Sequence, residues 1–539
     1  MVDLDSCFPY KEYRKYQREV LFDAFEAFDD NDVVVVNAPV GFGKSGVNLA
    51  LCRAMGSAFY TTPLKSQQDQ LAREFGDSVV VLKGRDNYNC LIEEEKTKSQ
   101  AKCMIATYRC LMKDSCPYTK AMKKARTSRV SCMNTALMMQ MPSRAFDKRE
   151  LLVVDEGHGL GEWGVMFAQV SLGVDVVGDI PNLDNFDQWI EWITEKVDEV
   201  SSRMVEIEGL VDPMDDDSDL ITRDMVLLYK KLQRAIFKME LLVDDYLTHD
   251  EEWTVDVSRR SVVFRPLTSG RFLDKLLWRW SGKILISSGT IINESVFKRE
   301  TGLDKKNCEF ISVPSTFPVE NRLVYRVESV GVVNHKNKVE KMSRIVGMIK
   351  KIMVAHNGLN GVVHCHSYEN ALALNDGLRG SLDNWVKHKI NGLISEYVKN
   401  YDYDSFDKNV DGVWLQNRDN RDESLKRWID DSEPSLFLSV NFTEGIDLKD
   451  DLCRYAVLMK VPFMDLSDKR VEARIAKGDR NWYESKAIES IVQSWGRGVR
   501  SEDDYCDFYI LDGSFWRLWK NNLELFPKDF NECVRYCRW

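Results

Sequence analysis

The chain has 539 residues, of which 44% are hydrophobic and 29% charged, so it can bury large cores and is not a disordered tail. Its 74 basic and 85 acidic side chains give a net charge of −11, which excludes a uniformly basic nucleic-acid coat but not a local basic patch. No apolar run approaches the roughly 20 residues that span a bilayer, Met1–Tyr10 lacks the pattern of an export signal, and thirteen cysteines, an odd number, argue for reduced thiols over a disulfide framework.

At about 150 residues per domain, the length suggests three or four domains. Val33 to Val36, four valines in a row, predicts a strand buried on both faces. It runs into Ala38-Pro39-Val40-Gly41-Phe42-Gly43-Lys44-Ser45, and a helix-like stretch follows. This is the pattern of a phosphate-binding loop. Gly41 and Gly43 let backbone N–H groups turn toward a phosphate, Lys44 reaches the β- and γ-phosphates of ATP, and Ser45 holds Mg²⁺. Ala38 stands where the strict pattern has its first glycine.

Ala58–Thr62, Ser78–Leu82 and Val130–Met133 read as further strands, and Leu151–Val154 runs into Asp155-Glu156-Gly157-His158. Adjacent carboxylates at a strand end suit an Mg²⁺ ligand (Asp155) and a residue that aligns the attacking water (Glu156). Strands alternating with helices predict an α/β, doubly wound sheet.

Two segments break that pattern. Lys83 to Arg149 holds 15 basic and 6 acidic residues. Leu183 to Glu252 holds 20 acidic and 7 basic. The acidic segment predicts a helical hairpin: Trp189, Ile193, Val197, Val200, Met204 and Ile207 recur at helical spacing, as do Met225, Leu228, Leu232, Ile236, Met239 and Val243. Asp212 to Asp217 would be the turn.

The basic segment carries Cys90, Cys103, Cys110 and Cys116, with 12, 6 and 5 residues between them. Four thiolates suit a [4Fe–4S] cluster or Zn²⁺, although the close pairs common in zinc ribbons are missing, and plain thiols are a third reading. Lys102, Arg109, Lys113, Lys120, Lys123, Lys124 and Arg126 offer phosphate contacts. Tyr88, Tyr108 and Tyr118 could stack on unpaired bases or support the cysteines.

A second α/β pattern begins after about Phe310, with strands expected at Gly361–Cys365, Leu436–Ser439, Tyr455–Lys460 and Phe508–Leu511. His364 and His366 flank Cys365 on one face of the first of these, and packing explains them better than metal. Near the end, helical spacing makes neighbours of Gln493, Arg497 and Arg500, and arginines from a second lobe can stabilise charge on a transferring phosphoryl group.

The phosphate loop, the acidic box and this arginine segment, in this order, resemble a superfamily 2 helicase. Lys83-Gly84-Arg85-Asp86-Asn87-Tyr88-Asn89-Cys90, Asn134-Thr135-Ala136, Ser287-Ser288-Gly289-Thr290, Phe442-Thr443-Glu444-Gly445-Ile446-Asp447 and Lys460-Val461-Pro462-Phe463 narrow the resemblance to the XPD/DinG iron–sulfur helicases. The box has Gly157 where that family has alanine.

The resemblance implies two RecA-like P-loop domains. The first is expected at 1–83, 120–170 and 255–305, with a Cys-rich iron–sulfur insertion at 84–119 and a helical arch-like insertion at 171–254; the second is expected at 306–539. It favours a [4Fe–4S] cluster on the four cysteines. It implies that Gln17, in Tyr13-Arg14-Lys15-Tyr16-Gln17, reads adenine, and that the protein unwinds DNA 5′→3′ using ATP and Mg²⁺. The expected partners are single-stranded and forked DNA, with no membrane, and the chain is expected to be a monomer. Its place would be the cytoplasm or nucleoid of a prokaryotic cell, or a host cell if it is viral. Rival readings are a translocase that strips proteins from single strands, an RNA-directed helicase, and a redox-sensing cluster module with a switch-type ATPase.

Overall fold

A computed structural model describes every residue except 1, 40, 94–95, 111, 211–220, 250–251, 329, 335–336, 402–411, 441–447, 449 and 538–539. The expected Asp212–Asp217 turn and the Phe442–Asp447 motif therefore lie outside the described residues.

Ten strands precede residue 313: Val33–Asn37 (β1), Ala58–Thr62 (β2), Val80–Leu82 (β3), Val130–Asn134 (β4), Arg149–Asp155 (β5), Val170–Gly173 (β6), Trp253–Val257 (β7), Ser261–Pro266 (β8), Ser281–Ser288 (β9) and Cys308–Ser312 (β10). Seven of them form one sheet in the order β10-β1-β9-β5-β2-β4-β3, parallel throughout. Its valine-rich centre is buried on both faces, as a sheet covered by helices on either side requires. The remaining three form a small antiparallel sheet, β6-β8-β7.

The second half adds Val324–Val327 (β11), Gly361–His364 (β12), Val413–Leu415 (β13), Leu436–Ser439 (β14), Tyr455–Leu458 (β15), Asp507–Ile510 (β16) and Val534–Cys537 (β17). These make a second all-parallel sheet, β13-β14-β12-β15-β16-β11-β17. The two sheets with their helices are two RecA-like α/β domains, here lobe one and lobe two.

The boundary expected at 306 falls one strand early. β10 pairs in register with β1, Val33 opposite Cys308 and Asn37 opposite Ser312, so lobe one's sheet runs to Ser312. The short, half-exposed sequence of β10 carries no uninterrupted apolar run that would have marked it as a strand.

The helical insertion is two 24-residue helices, Phe186–Gly209 and Arg223–Tyr246, packed on each other. The first buries Trp189, Ile193, Val200 and Ile207 of the six-residue stripe the spacing predicts, with Val197 and Met204 partly buried beside them. On the second the buried stripe is rotated by about one position. Val226, Tyr229, Leu232, Ala235, Met239 and Leu242 face inward, while Met225, Leu228, Ile236 and Val243 are only partly buried at its flank. The reason is that this helix meets a second surface. Lys230 Nζ donates to the Ser99 carbonyl at 2.9 Å, and the Tyr229 hydroxyl donates to Glu208 at 2.5 Å and accepts from the Ala106 N–H at 3.4 Å, which ties the helical insertion to the cysteine-bearing one.

The lobes also meet through charge. The helix Lys469–Ala476 of lobe two pushes Arg470 and Arg474 into lobe one. Arg474 forks onto Glu300 at 2.8 and 2.6 Å, with 2% and 4% of the two side chains exposed. Arg470 reaches Glu162 at 2.8 Å, and both arginines donate to the Leu267 carbonyl at 3.0 Å. Trp482 lies 3.7 Å under the Arg474 guanidinium. Among the described residues no helix is long and apolar enough to cross a membrane.

Candidate active site

The carboxyl ends of β1, β5 and β9 lie side by side, because Val36 and Asp155 both pair with Ser287. Loops leaving this edge converge on a cleft of about 920 Å³ between the lobes. Its walls include Gly41, Lys44 and Ser45, then Asp155, Glu156 and His158, and from lobe two Gln493, Arg497 and Arg500. Of the sequence-predicted nucleotide residues, Gly41, Lys44, Ser45, Asp155 and Gln493 therefore line one cleft, while Gly43 and Gln17 are not part of its lining.

The phosphate loop turns on two left-handed glycines, Gly41 at φ 83° and Gly43 at φ 82°, and Gly43 is the N-cap of the helix Lys44–Ala54. A phosphate at that helix start would meet unpaired N–H groups and the positive end of the helix dipole. Lys44 Nζ now donates to the Ala38 carbonyl at 3.2 Å, so the lysine is folded back over its own loop.

Gln17 lies behind the phosphate loop. It is 2% exposed, and its Nε2 donates to the carbonyls of Phe42 (2.7 Å) and Gly43 (3.2 Å) while its Oε1 accepts from the Arg14 N–H (2.7 Å). Both amide hydrogens are spent on the back of the phosphate loop. Arg14 joins in by donating to the Gly41 carbonyl at 2.7 Å. Gln17 thus braces the phosphate loop from behind.

Asp155 is buried and accepts from the Tyr60 hydroxyl at 3.0 Å and from the Glu156 N–H at 3.0 Å. Burial, with Glu156 beside it, raises the Asp155 carboxyl above its usual value, and Lys44 opposes the rise. Such a group gains from a divalent cation, so Ser45 and Asp155 fit Mg²⁺ chemically. Burial works against the Glu156 charge too, yet Lys44, His158, Arg497 and Arg500 together hold its carboxyl below the ordinary range. Glu156 sits at φ 53°, a strained left-handed position that aims its partly exposed side chain into the cleft. His158 Nδ1 shares a hydrogen bond with Ser288 Oγ at 3.1 Å and lies 3.5 Å from Glu156 Oε2.

Gln493 Nε2 donates across the lobes to Thr290 Oγ1 at 3.1 Å. The helix carrying Gln493 stops at Trp495, so Arg497 and Arg500 do not continue it as the spacing implied. They stand on the following turn, where the Arg500 N–H bonds to Asp504 at 3.0 Å, and reach the cleft from there. Tyr60 was missed by sequence reasoning. Its only signal is membership of β2, the neighbour of β5.

Three of the four cysteines, Cys103, Cys110 and Cys116, act on Lys98, and Cys90 acts on Cys103. The Lys98 ammonium bonds to Cys103 Sγ at 2.6 Å. Burial raises the Cys103 thiol, with Lys98 opposing. Burial is outweighed at Cys116, whose thiol is lowered by hydrogen bonds from Thr119 and Tyr118 at the start of the helix Pro117–Thr127. The Glu93 N–H points at Cys90 Sγ, 3.5 Å away. As donor chemistry this set fits a four-thiolate cluster, although among the described residues no three metal-ligating side chains lie close enough to hold a single ion.

Tyr118 is buried and meets Tyr88 edge-on at 5.5 Å, so these rings support the insertion instead of facing bases. Arg126 donates to the Ala145 carbonyl at 2.7 Å. Arg109, Lys113, Lys120, Lys123 and Lys124 are exposed. His366 has φ 59° and lies beyond the end of β12, so it does not share a strand face with His364.

A family model described as a helicase C-terminal domain matches residues 362–533. A probable ATP-dependent helicase of Methanocaldococcus jannaschii is 22% identical over 319 residues, covering 56% of this chain and 45% of that protein. The ATP-dependent DNA helicase DinG of Photobacterium profundum is 25% identical over 263 residues, covering 46% of this chain and 34% of DinG. The chain thus spans less than half the length of these two curated relatives. In fold, a solved XPD helicase superposes with a TM-score of 0.63 at 15% identity, covering 98% of this chain and all of the other.

Proposed function

We propose that this chain, an XPD/DinG-like superfamily 2 helicase, hydrolyses ATP between its lobes to move 5′→3′ along single-stranded DNA and to unwind duplex ahead of it. The observation that carries the reading is one cleft lined by Lys44, Ser45, Asp155 and Glu156 from lobe one and by Arg497 and Arg500 from lobe two. In this scheme Lys44 and the N–H groups of the phosphate loop bind the β- and γ-phosphates, and Ser45 and Asp155 hold Mg²⁺, which shields charge on the phosphates. Glu156, ionised at neutral pH, orients water and takes its proton. Arg497 and Arg500 stabilise charge on the transferring phosphoryl group. Closure on ATP and reopening after hydrolysis would step the strand past the lobes.

Cys90, Cys103, Cys110 and Cys116 would hold a [4Fe–4S] cluster. When bound, it supplies a cross-link that small insertions of this size need in place of a large core. The exposed cations Arg109, Lys113, Lys120, Lys123 and Lys124 suit a DNA backbone. The protein would act as a monomer inside a cell, where its substrate is.

DNA-stimulated ATP hydrolysis and strand displacement on duplexes with a 5′ or a 3′ tail test the reading, with Lys44→Ala as the control. Displacement of the 5′-tailed duplex alone, lost together with ATP hydrolysis in Lys44→Ala, is expected. Hydrolysis that ignores DNA, or survives in Lys44→Ala, would overturn it.

A further inference from the structure

The strap between the sheets, 313–322, crosses the cleft in ten residues. At its start the Val313 N–H bonds to the Asn37 carbonyl at 2.9 Å, prolonging the ladder of lobe one. At its end Arg322 pairs with Asp529 at 2.9 Å, and Trp495 Nε1 donates to the Arg322 carbonyl at 3.0 Å, both within lobe two. Phe317 stands midway. It precedes Pro318, which keeps its backbone extended, and its carbonyl accepts from Arg322 Nη2 at 3.0 Å, so the ring rides on a fixed segment.

That ring presses on the phosphate loop. A Cβ on Gly41 would fall 2.5 Å from Phe317 Cζ and 3.2 Å from the Arg500 carbonyl oxygen. The same cleft is lined by Leu525, Phe526 and Pro527 of lobe two, flanked by Glu524 and Lys528, and by Gln67 and Gln70 of lobe one. The Phe317 ring is therefore an apolar surface beside the phosphate loop on the strap's side, while Gln17 is engaged behind that loop.

We propose that the nucleotide base leaves the phosphate loop on the strap's side and stacks on Phe317, with Leu525 to Pro527 closing an apolar slot that favours a purine nucleoside triphosphate. The proposal rests on the ATP-binding reading above. A purine covers more of an aromatic face than a pyrimidine does, and stacking tolerates any edge chemistry, so selection here is by ring size. Because the strap is the covalent link between the lobes, a base seated on it also reports occupancy to both.

Titration calorimetry with the magnesium complexes of ATP, CTP and inorganic tripolyphosphate tests this on the full chain, with Phe317→Ala and Phe317→Tyr. Phe317→Ala should weaken ATP about tenfold, leave tripolyphosphate within about twofold, and shrink the preference for ATP over CTP. Phe317→Tyr should restore ATP binding. Unchanged ATP affinity in Phe317→Ala overturns the proposal. So does an equal loss for ATP and tripolyphosphate, since the ring would then act on Gly41 and not on a base. A parent that binds ATP but does not hydrolyse it refutes the ATPase reading alone, and the same titrations still decide the base slot; a parent that binds none of the three refutes both.

Discussion

Arg474→Met should loosen the contact between the lobes far more than its single side chain suggests. Arg474 and Glu300 are almost fully buried, joined by two hydrogen bonds of 2.8 and 2.6 Å. Burial lowers the Arg474 proton affinity, but Glu300 and Asp479 more than reverse this, so Arg474 stays charged in the folded state. Methionine fills the volume of the stem and leaves Glu300 in the interface without its bidentate partner, with only the longer contacts to Arg470 Nη2 at 3.7 Å and Arg299 Nε at 3.9 Å beside it. Removing one partner of a buried pair costs about 3–5 kcal/mol, most of it the price of the orphaned charge. At roughly 1.4 kcal/mol per factor of ten, opening of this interface should become about 10²-fold to several thousand-fold more frequent. Hydrogen exchange of peptides covering the helix Lys469–Ala476 reads that opening directly, whereas one melting temperature for a two-lobed chain does not. Adding Glu300→Gln to Arg474→Met should slow exchange again, because a neutral amide is cheaper to leave unpaired. Exchange within threefold of the parent in Arg474→Met, or a double variant that exchanges faster than the single one, would refute this account.

Glu156→Gln should bind ATP yet turn over about 10²–10⁴-fold more slowly, since an amide cannot take the water's proton; near-parental steady-state hydrolysis would remove Glu156 from that role. The purified protein should absorb broadly near about 400 nm as four-thiolate iron–sulfur centres do, and Cys110→Ser should lose that band and its iron while keeping ATP binding. Zinc without iron in the parent would replace the cluster reading with a zinc one. The iron-free variant should lose strand displacement more than ATP hydrolysis, measured on one preparation.

Much of this was legible in the sequence because it is local. Four valines before a glycine-bearing loop, or four apolar residues before Asp155-Glu156, state both strand and site within ten residues. What stayed hidden depends on contacts between distant segments. Tyr60 is an ordinary strand residue until β2 lies beside β5, and Gln17 looks like a free amide until it is seen under Phe42 and Gly43. β10 is invisible as a strand because its partner β1 begins more than 270 positions earlier. The helix face of Arg223–Tyr246 was misjudged by one position for the same reason, since the Cys-rich insertion pulls Tyr229 and Lys230 toward itself.

The strand orders also dictate the timetable on which the chain can fold as it is synthesised. β1 lies between β9 and β10, so the strand that carries the phosphate loop finds neither sheet neighbour until residues beyond 281 have left the ribosome. In lobe two, β11 waits in the same way between β16 and β17, the latter ending at Cys537. Until then each opening strand is an apolar segment with unpaired edges, the kind of surface that pairs with wrong partners. Long-range parallel pairing of this sort is slow. Release from the ribosome before β9 would leave Val33–Asn37 with nothing to pair against, so fragments ending there should be captured by chaperones or aggregate, and the nucleotide cleft can be completed only when nearly the whole chain is present.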